Sequence, residues 1–115
     1  MPEYALFMYQ PVDREVSQDG IAQEYPRWQQ FDQDIKAAGV FVDNRGLAGT
    51  DASTTVRVRD GQTQVTDGPF AETKEYLAGY YLIDAHDLDG ALEWAAKIPS
   101  AEYGSVEVRP MWSAS

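Results

Sequence analysis

The residues best equipped for chemistry are crowded into nine consecutive positions, Asp67-Gly68-Pro69-Phe70-Ala71-Glu72-Thr73-Lys74-Glu75. Asp67 precedes a Gly-Pro pair, and its carboxylate has two readings. As a turn residue it accepts backbone N–H groups two residues on; facing a cavity, partial burial raises its proton affinity and fits it for acid–base catalysis. Phe70 either plugs the segment down onto a sheet or offers its ring to a ligand. Glu72 and Lys74 are two apart, so on an extended segment they share a side, with Thr73 and Glu75 on the other. As solvated charges they contribute little; reaching a cavity, Glu72 or Lys74 becomes an ionic handle for a polar ligand. A further pair, Glu107 and Arg109, alternates with Val106 and Val108 and can clamp a carboxylate or phosphate, or form an ion pair between subunits.

Other chemistries lack their residues. The chain has no cysteine, hence no disulfide, thiolate nucleophile or thiolate metal site. Its single histidine, His86, lies beside a helix cap and reads as a solvated surface group. No Gly-rich phosphate loop, metal-ligand cluster or nucleophile elbow occurs, so no cofactor and no metal are expected. Nine Lys and Arg against nineteen Asp and Glu give a formal charge of −10, which repels phosphate backbones and anionic lipid. Direct nucleic-acid and membrane partners are therefore not expected. With no basic, apolar leader and no run of membrane-spanning length, a cytoplasmic protein is the expectation.

At 115 residues the chain fits one domain, 1–115. The elements that must position the site read as follows. Residues 4–9 are a nearly all-apolar strand covered on both faces. Ile21, Tyr25, Trp28, Phe31, Ile35 and Ala38 recur at helical spacing with Gly39 to cap the end; Pro26 places the regular start near Tyr25, after a short turn. Val40-Phe41-Val42 is a second strand, followed by a polar loop over 43–53. Residues 54–59 and 62–66 flank Asp60-Gly61, a two-residue hairpin turn, with Val56 and Val58 expected toward the core and Arg57 and Arg59 away. Residues 79–84 form the next strand. Asp87 caps a helix with Leu88, Ala91, Leu92, Ala95 and Ile98 on one face, stopped by Pro99. Residues 105–109 alternate as a last strand. Strand, helix, strand, inserted hairpin, strand, helix, strand contains the split βαβ pattern twice: an α+β, ferredoxin-like fold.

Two helices cover one face of such a sheet. The other carries Tyr9 or Met8, Tyr80 or Tyr81, and the Glu107 and Arg109 side of the last strand, too apolar in part for water. A second copy is the simplest cover. The expected assembly is a homodimer packed sheet to sheet, with a cavity between the sheets where Tyr9, Phe70, Glu72, Lys74, Glu107 and Arg109 meet a small polar ligand and Asp67, or a nearby Glu, carries any catalysis.

Whole motifs add a resemblance. Val65 through Glu75, then Gly79-Tyr80-Tyr81-Leu82-Ile83-Asp84-Ala85, Asp87-Leu88-Asp89, Ala91 through Ala96, Ile98-Pro99 and Gly104 through Pro110 closely resemble the YCII-related family in its DGPF-domain branch. The resemblance implies a dimeric α+β barrel, shared with muconolactone-isomerase-like proteins, and a pocket at the dimer interface with a catalytic His and Asp pair. It also implies a functional link of some members to extracytoplasmic-type sigma factors. This sequence departs at the histidine: the family's lies on helix one, where this chain offers Trp28, so a His-based acid or base does not transfer. The functional expectation is a homodimeric small-molecule-binding protein with isomerase-like or lyase-like acid–base chemistry. The alternative is a non-catalytic regulatory module acting with a sigma factor or other protein.

Overall fold

The computed structural model describes residues 1–113. Six strands and two helices run β1 (Glu3–Pro11), α1 (Gln18–Ala37), β2 (Phe41–Gly46), β3 (Thr54–Arg59), β4 (Gln62–Asp67), β5 (Glu75–Asp84), α2 (Leu88–Lys97) and β6 (Ser105–Pro110). Four strands form an antiparallel sheet in the order β2-β5-β1-β6, and β3 and β4 pair only with each other. A mixed α+β chain with this strand order is compatible with a ferredoxin-like fold.

The strand period of two sorts the sheet's faces through the register. Tyr4, Leu6 and Met8 pair with Ile83, Tyr81 and Gly79 on one side and with Pro110, Val108 and Val106 on the other. This face meets Phe31 and Ile35 of α1 and Ala91, Ala95 and Ile98 from the α2 region in one core. Each large aliphatic side chain buried here contributes roughly 1.5–3 kcal/mol. Phe31 meets Tyr81 edge-on with ring centroids 5.3 Å apart. Burial first, then the negative Asp32, pushes the Tyr81 phenol up to about 12. The opposite face carries Ala5, Phe7 and Tyr9, Tyr80 and Leu82, and Glu107 and Arg109. Phe7, Tyr9, Tyr80 and Leu82 are only half-buried there. Of each alternative pair in the sequence, then, Tyr9 and Tyr80 belong to the open face and Met8 and Tyr81 to the core.

β5 begins at Glu75 rather than at residue 79, and three further local expectations need correction. α1 starts at Gln18, not near Tyr25, and runs through Pro26, so the residues expected to form a short turn before Tyr25 are helical. Ser17 caps it by accepting the Gly20 N–H at 3.0 Å, and the hydrogen bond that Pro26 cannot donate falls on the helix's exposed side. β2 continues to Gly46, into the stretch read as loop, because each residue from Asp43 onward finds a partner on β5. The third concerns the hairpin. Its turn has positive φ at Asp60 (51°) and Gly61 (74°), as a two-residue turn requires, but Val56 and Val58 face solvent at 59% and 60% exposure and Arg57 is half-buried. The hairpin does not lie on the core. The Cα radius of gyration of 16.5 Å reflects this, against roughly 13 Å for a compact chain of this length. Among the described residues no helix is long and apolar enough to cross a membrane.

Candidate functional site

The nine-residue segment is stitched in at both ends. Gly68 takes φ 106° and donates its N–H to the Ser53 carbonyl at 2.8 Å, and the Thr55 hydroxyl donates to the Gly68 carbonyl at 2.7 Å. The Arg57 guanidinium donates to the Phe70 carbonyl at 3.0 Å, which explains why Arg57 turns inward. At the far end the Val12 N–H donates to the Lys74 carbonyl at 2.9 Å, and Glu75 enters β5 opposite Pro11.

Between this segment, the 47–55 stretch and the end of the sheet lies a concavity of about 610 Å³, within the range of small-molecule sites. A β-bulge shapes its floor. Met8 pairs with Gly79 but Tyr9 with Leu77, leaving Ala78 as the extra residue, whose carbonyl accepts the Leu47 N–H at 2.8 Å. The bulge puts Leu77 beside Tyr9 on the concavity side. Among the described residues, Glu75 is the only carboxylate lining the concavity, and no Lys, Arg or His lines it. The Ser105 hydroxyl reaches the two Glu75 carboxylate oxygens at 2.9 and 3.0 Å.

Of the residues singled out by sequence, the structure brings Tyr9 and Phe70 together on this wall. Phe70 is 77% exposed, so it is not the packing plug that one reading allowed. Glu72 and Lys74 are exposed and off the wall. Glu107 and Arg109 sit on the open face opposite Phe7 and Ala5, exposed and outside the concavity. Asp67 pairs with Thr54 at the end of β4, exposed, and its carboxylate makes no hydrogen bond or ion pair among the described residues. The turn role two residues on fails for a plain reason: that residue is Pro69, which has no N–H. Tyr76 is a wall residue that sequence reasoning passed over, and Glu75 stood out only as one charge of the crowded segment; lying at the strand entrance, both read as the tail of a charged loop.

The YCII-related domain model matches residues 3–115. The chain belongs to the YCII-related family. An uncharacterised protein of Rhizobium meliloti (strain 1021) is 52% identical over 67 residues, covering 56% of this chain and 54% of that protein. The chain thus spans about half the length of the curated relative it matches.

In this YCII-related chain Trp28, on helix one, belongs to a second polar cluster that sequence reasoning missed. Glu24 accepts from Trp28 Nε1 at 3.1 Å, from Arg14 at 2.9 Å and from the Tyr103 hydroxyl. The Arg14 guanidinium also stacks 3.5 Å over the Tyr103 ring. Burial pushes the Glu24 carboxyl up, but hydrogen bonds from Tyr103, Arg14 and Trp28 together outweigh it and hold it below its ordinary value. Burial first, then the bond to Glu24, pushes the Tyr103 phenol up to about 12. With three donors from separate parts of the chain converging on the Glu24 carboxylate, the cluster is a clamp. It ties α1 around Pro26 to the turn over 99–103 that precedes β6, helped by the exposed bidentate Arg27–Glu102 pair. The Glu24 to Trp28 spacing of four is visible in sequence; Arg14 and Tyr103 arrive only through the fold.

Proposed function

We propose that residues 1–115 act as one DGPF-branch YCII-related domain, a cytoplasmic homodimer that binds a small polar molecule in the 610 Å³ concavity. The observation that carries this reading is the make-up of the wall among the described residues: one carboxylate, three aromatic rings from Tyr9, Phe70 and Tyr76, several hydroxyls and no cation. Such a wall favours a neutral or cationic ligand and disfavours an anion. Acid–base chemistry of the isomerase-like or lyase-like kind falls to Glu75, whose carboxylate is oriented by Ser105. It would take a proton from carbon, while the Tyr9 or Tyr76 phenol hydrogen-bonds the oxygen on which charge develops. Asp67 remains in the proposal as a second carboxylate, but outside its own chain's concavity.

An isosteric series tests the charge preference: 2-phenylethylamine, 2-phenylethanol and phenylacetate, titrated while following the amide resonances of Tyr9, Thr50 and Phe70. Saturable shifts are expected, with the amine tighter than phenylacetate by about ten-fold or more, and Glu75→Gln should erase the advantage of the amine over the alcohol. Phenylacetate binding as tightly as the amine, or no saturable shift at these residues, would overturn the reading. The regulatory alternative, association with a sigma factor, draws on the formal charge of −10. It predicts salt-sensitive binding to a basic surface of that partner with the concavity residues unperturbed.

A further inference from the structure

Among the described residues, the hydrogen bonds that the β3–β4 hairpin makes beyond itself stay close to home, Thr55 to Gly68 and Arg57 to Phe70, beside the Gly68 to Ser53 bond that closes its base. A lone two-stranded hairpin is marginal in water, yet this one presents an apolar row to solvent. The register puts Thr54, Val56 and Val58 opposite Asp67, Val65 and Thr63, so all six share one face. Val56, Val58 and Val65 are 59%, 60% and 64% exposed. The polar face, with Thr55 and Arg57, is the one used inside the chain. The hairpin therefore spends its hydrogen-bonding side on its own protomer and leaves its hydrophobic side without a cover.

Charge narrows what the cover is. Between residues 54 and 67 two arginines balance two aspartates, so the full formal charge of −10 lies on the rest of the chain. A second copy of this chain repels at its acidic body but not at this neutral arm. The same molecule also leaves its open sheet face half-covered, with Phe7, Tyr80 and Leu82 awaiting apolar contact. Both surfaces need what the other offers, and the flat molecule, 48 × 48 × 18 Å, does not fold one onto the other within a chain.

We propose that the hairpin is an exchanged arm: its Val56, Val58 and Val65 face docks on a second copy of the chain and delivers Asp67 to that copy's open side. The proposal rests on the homodimer of the preceding reading and adds to it which residues cross. It also explains why Asp67, at the head of the nine-residue segment, is unpaired and off the wall of its own concavity.

Because the sequence has no cysteine, a photo-crosslinking maleimide on V65C labels one position. It should give a covalent interchain dimer in about ten-fold or greater excess over the same label on Q64C, which lies on the opposite face. In parallel, Val56→Asp with Val65→Asp should raise the concentration of half-association by about ten-fold or more, with Gln64→Asp staying within about two-fold. Equal crosslinking from both faces, or a dimer that forms without shift in the valine variants, would overturn the arm while leaving the homodimer standing. A wild-type chain monomeric at every accessible concentration would overturn both.

Discussion

The body and the arm of this molecule are built from similar residue types and finished in opposite ways. In the body, Leu6 and Ile83 of the sheet and Ile35 and Ile98 of the helical layer are at most 1% exposed, and the backbone approaches so closely that side chains are excluded at some points. In the hairpin, valines of the same β-branched kind stand more than half in solvent. The difference is where the partner comes from. Helices α1 and α2 cover one face of the body within the chain, whereas nothing among the described residues covers the arm's valines. A hydrophobic row without a cover is a statement about assembly, and the concavity lies where the two regimes meet.

The contrast breaks most severely at Gly104. A Cβ there would lie 2.0 Å from the Tyr9 carbonyl oxygen and 3.1 Å from its carbon, both backbone atoms that cannot swing aside. Gly104→Ala is expected to cost about 3 kcal/mol or more of the body's stability in urea unfolding, and to disturb ligand binding through Tyr9. A smaller effect sharpens the comparison at Glu24. Glu24→Gln removes the ion pair to Arg14 and leaves its donors poorly matched, which should cost roughly 1–3 kcal/mol near neutral pH. The pH dependence follows from the lowered carboxyl. A carboxyl whose folded pKa lies below its unfolded one adds stability above the unfolded value, lost as pH falls through the folded one. Wild type should therefore lose stability on acidification from the ordinary carboxylate range downward, and Glu24→Gln should lose less over the same window, as read by denaturant titrations at several pH values.

Legibility in the sequence follows the same division. The order of the elements, the hairpin turn at Asp60-Gly61, the Asp87 cap and the pairing of Glu107 and Arg109 on one face are all set by neighbours a few residues away, and all stand in the structure. Helix α1 was read short because a proline looks decisive locally, while the clamp that carries the helix through it is assembled from Arg14 and Tyr103, distant in sequence. Val56 and Val58 were assigned inward because alternation says which residues share a face but not which face is covered. In the site, Phe70 and Tyr9 were visible as aromatic residues in telling places. Glu75 was visible as one charge of the crowded segment but not as part of the wall, since its place there depends on the bulge at Ala78 and on Ser105 thirty residues away.

Amide hydrogen exchange followed against protein concentration tests the body-and-arm account most directly. Amides of residues 54–67 should exchange rapidly in dilute solution and gain protection as the chain associates, while the core amides of β1 and β5 keep theirs throughout. Arm amides whose protection does not change with concentration, in a chain that demonstrably associates, would contradict it.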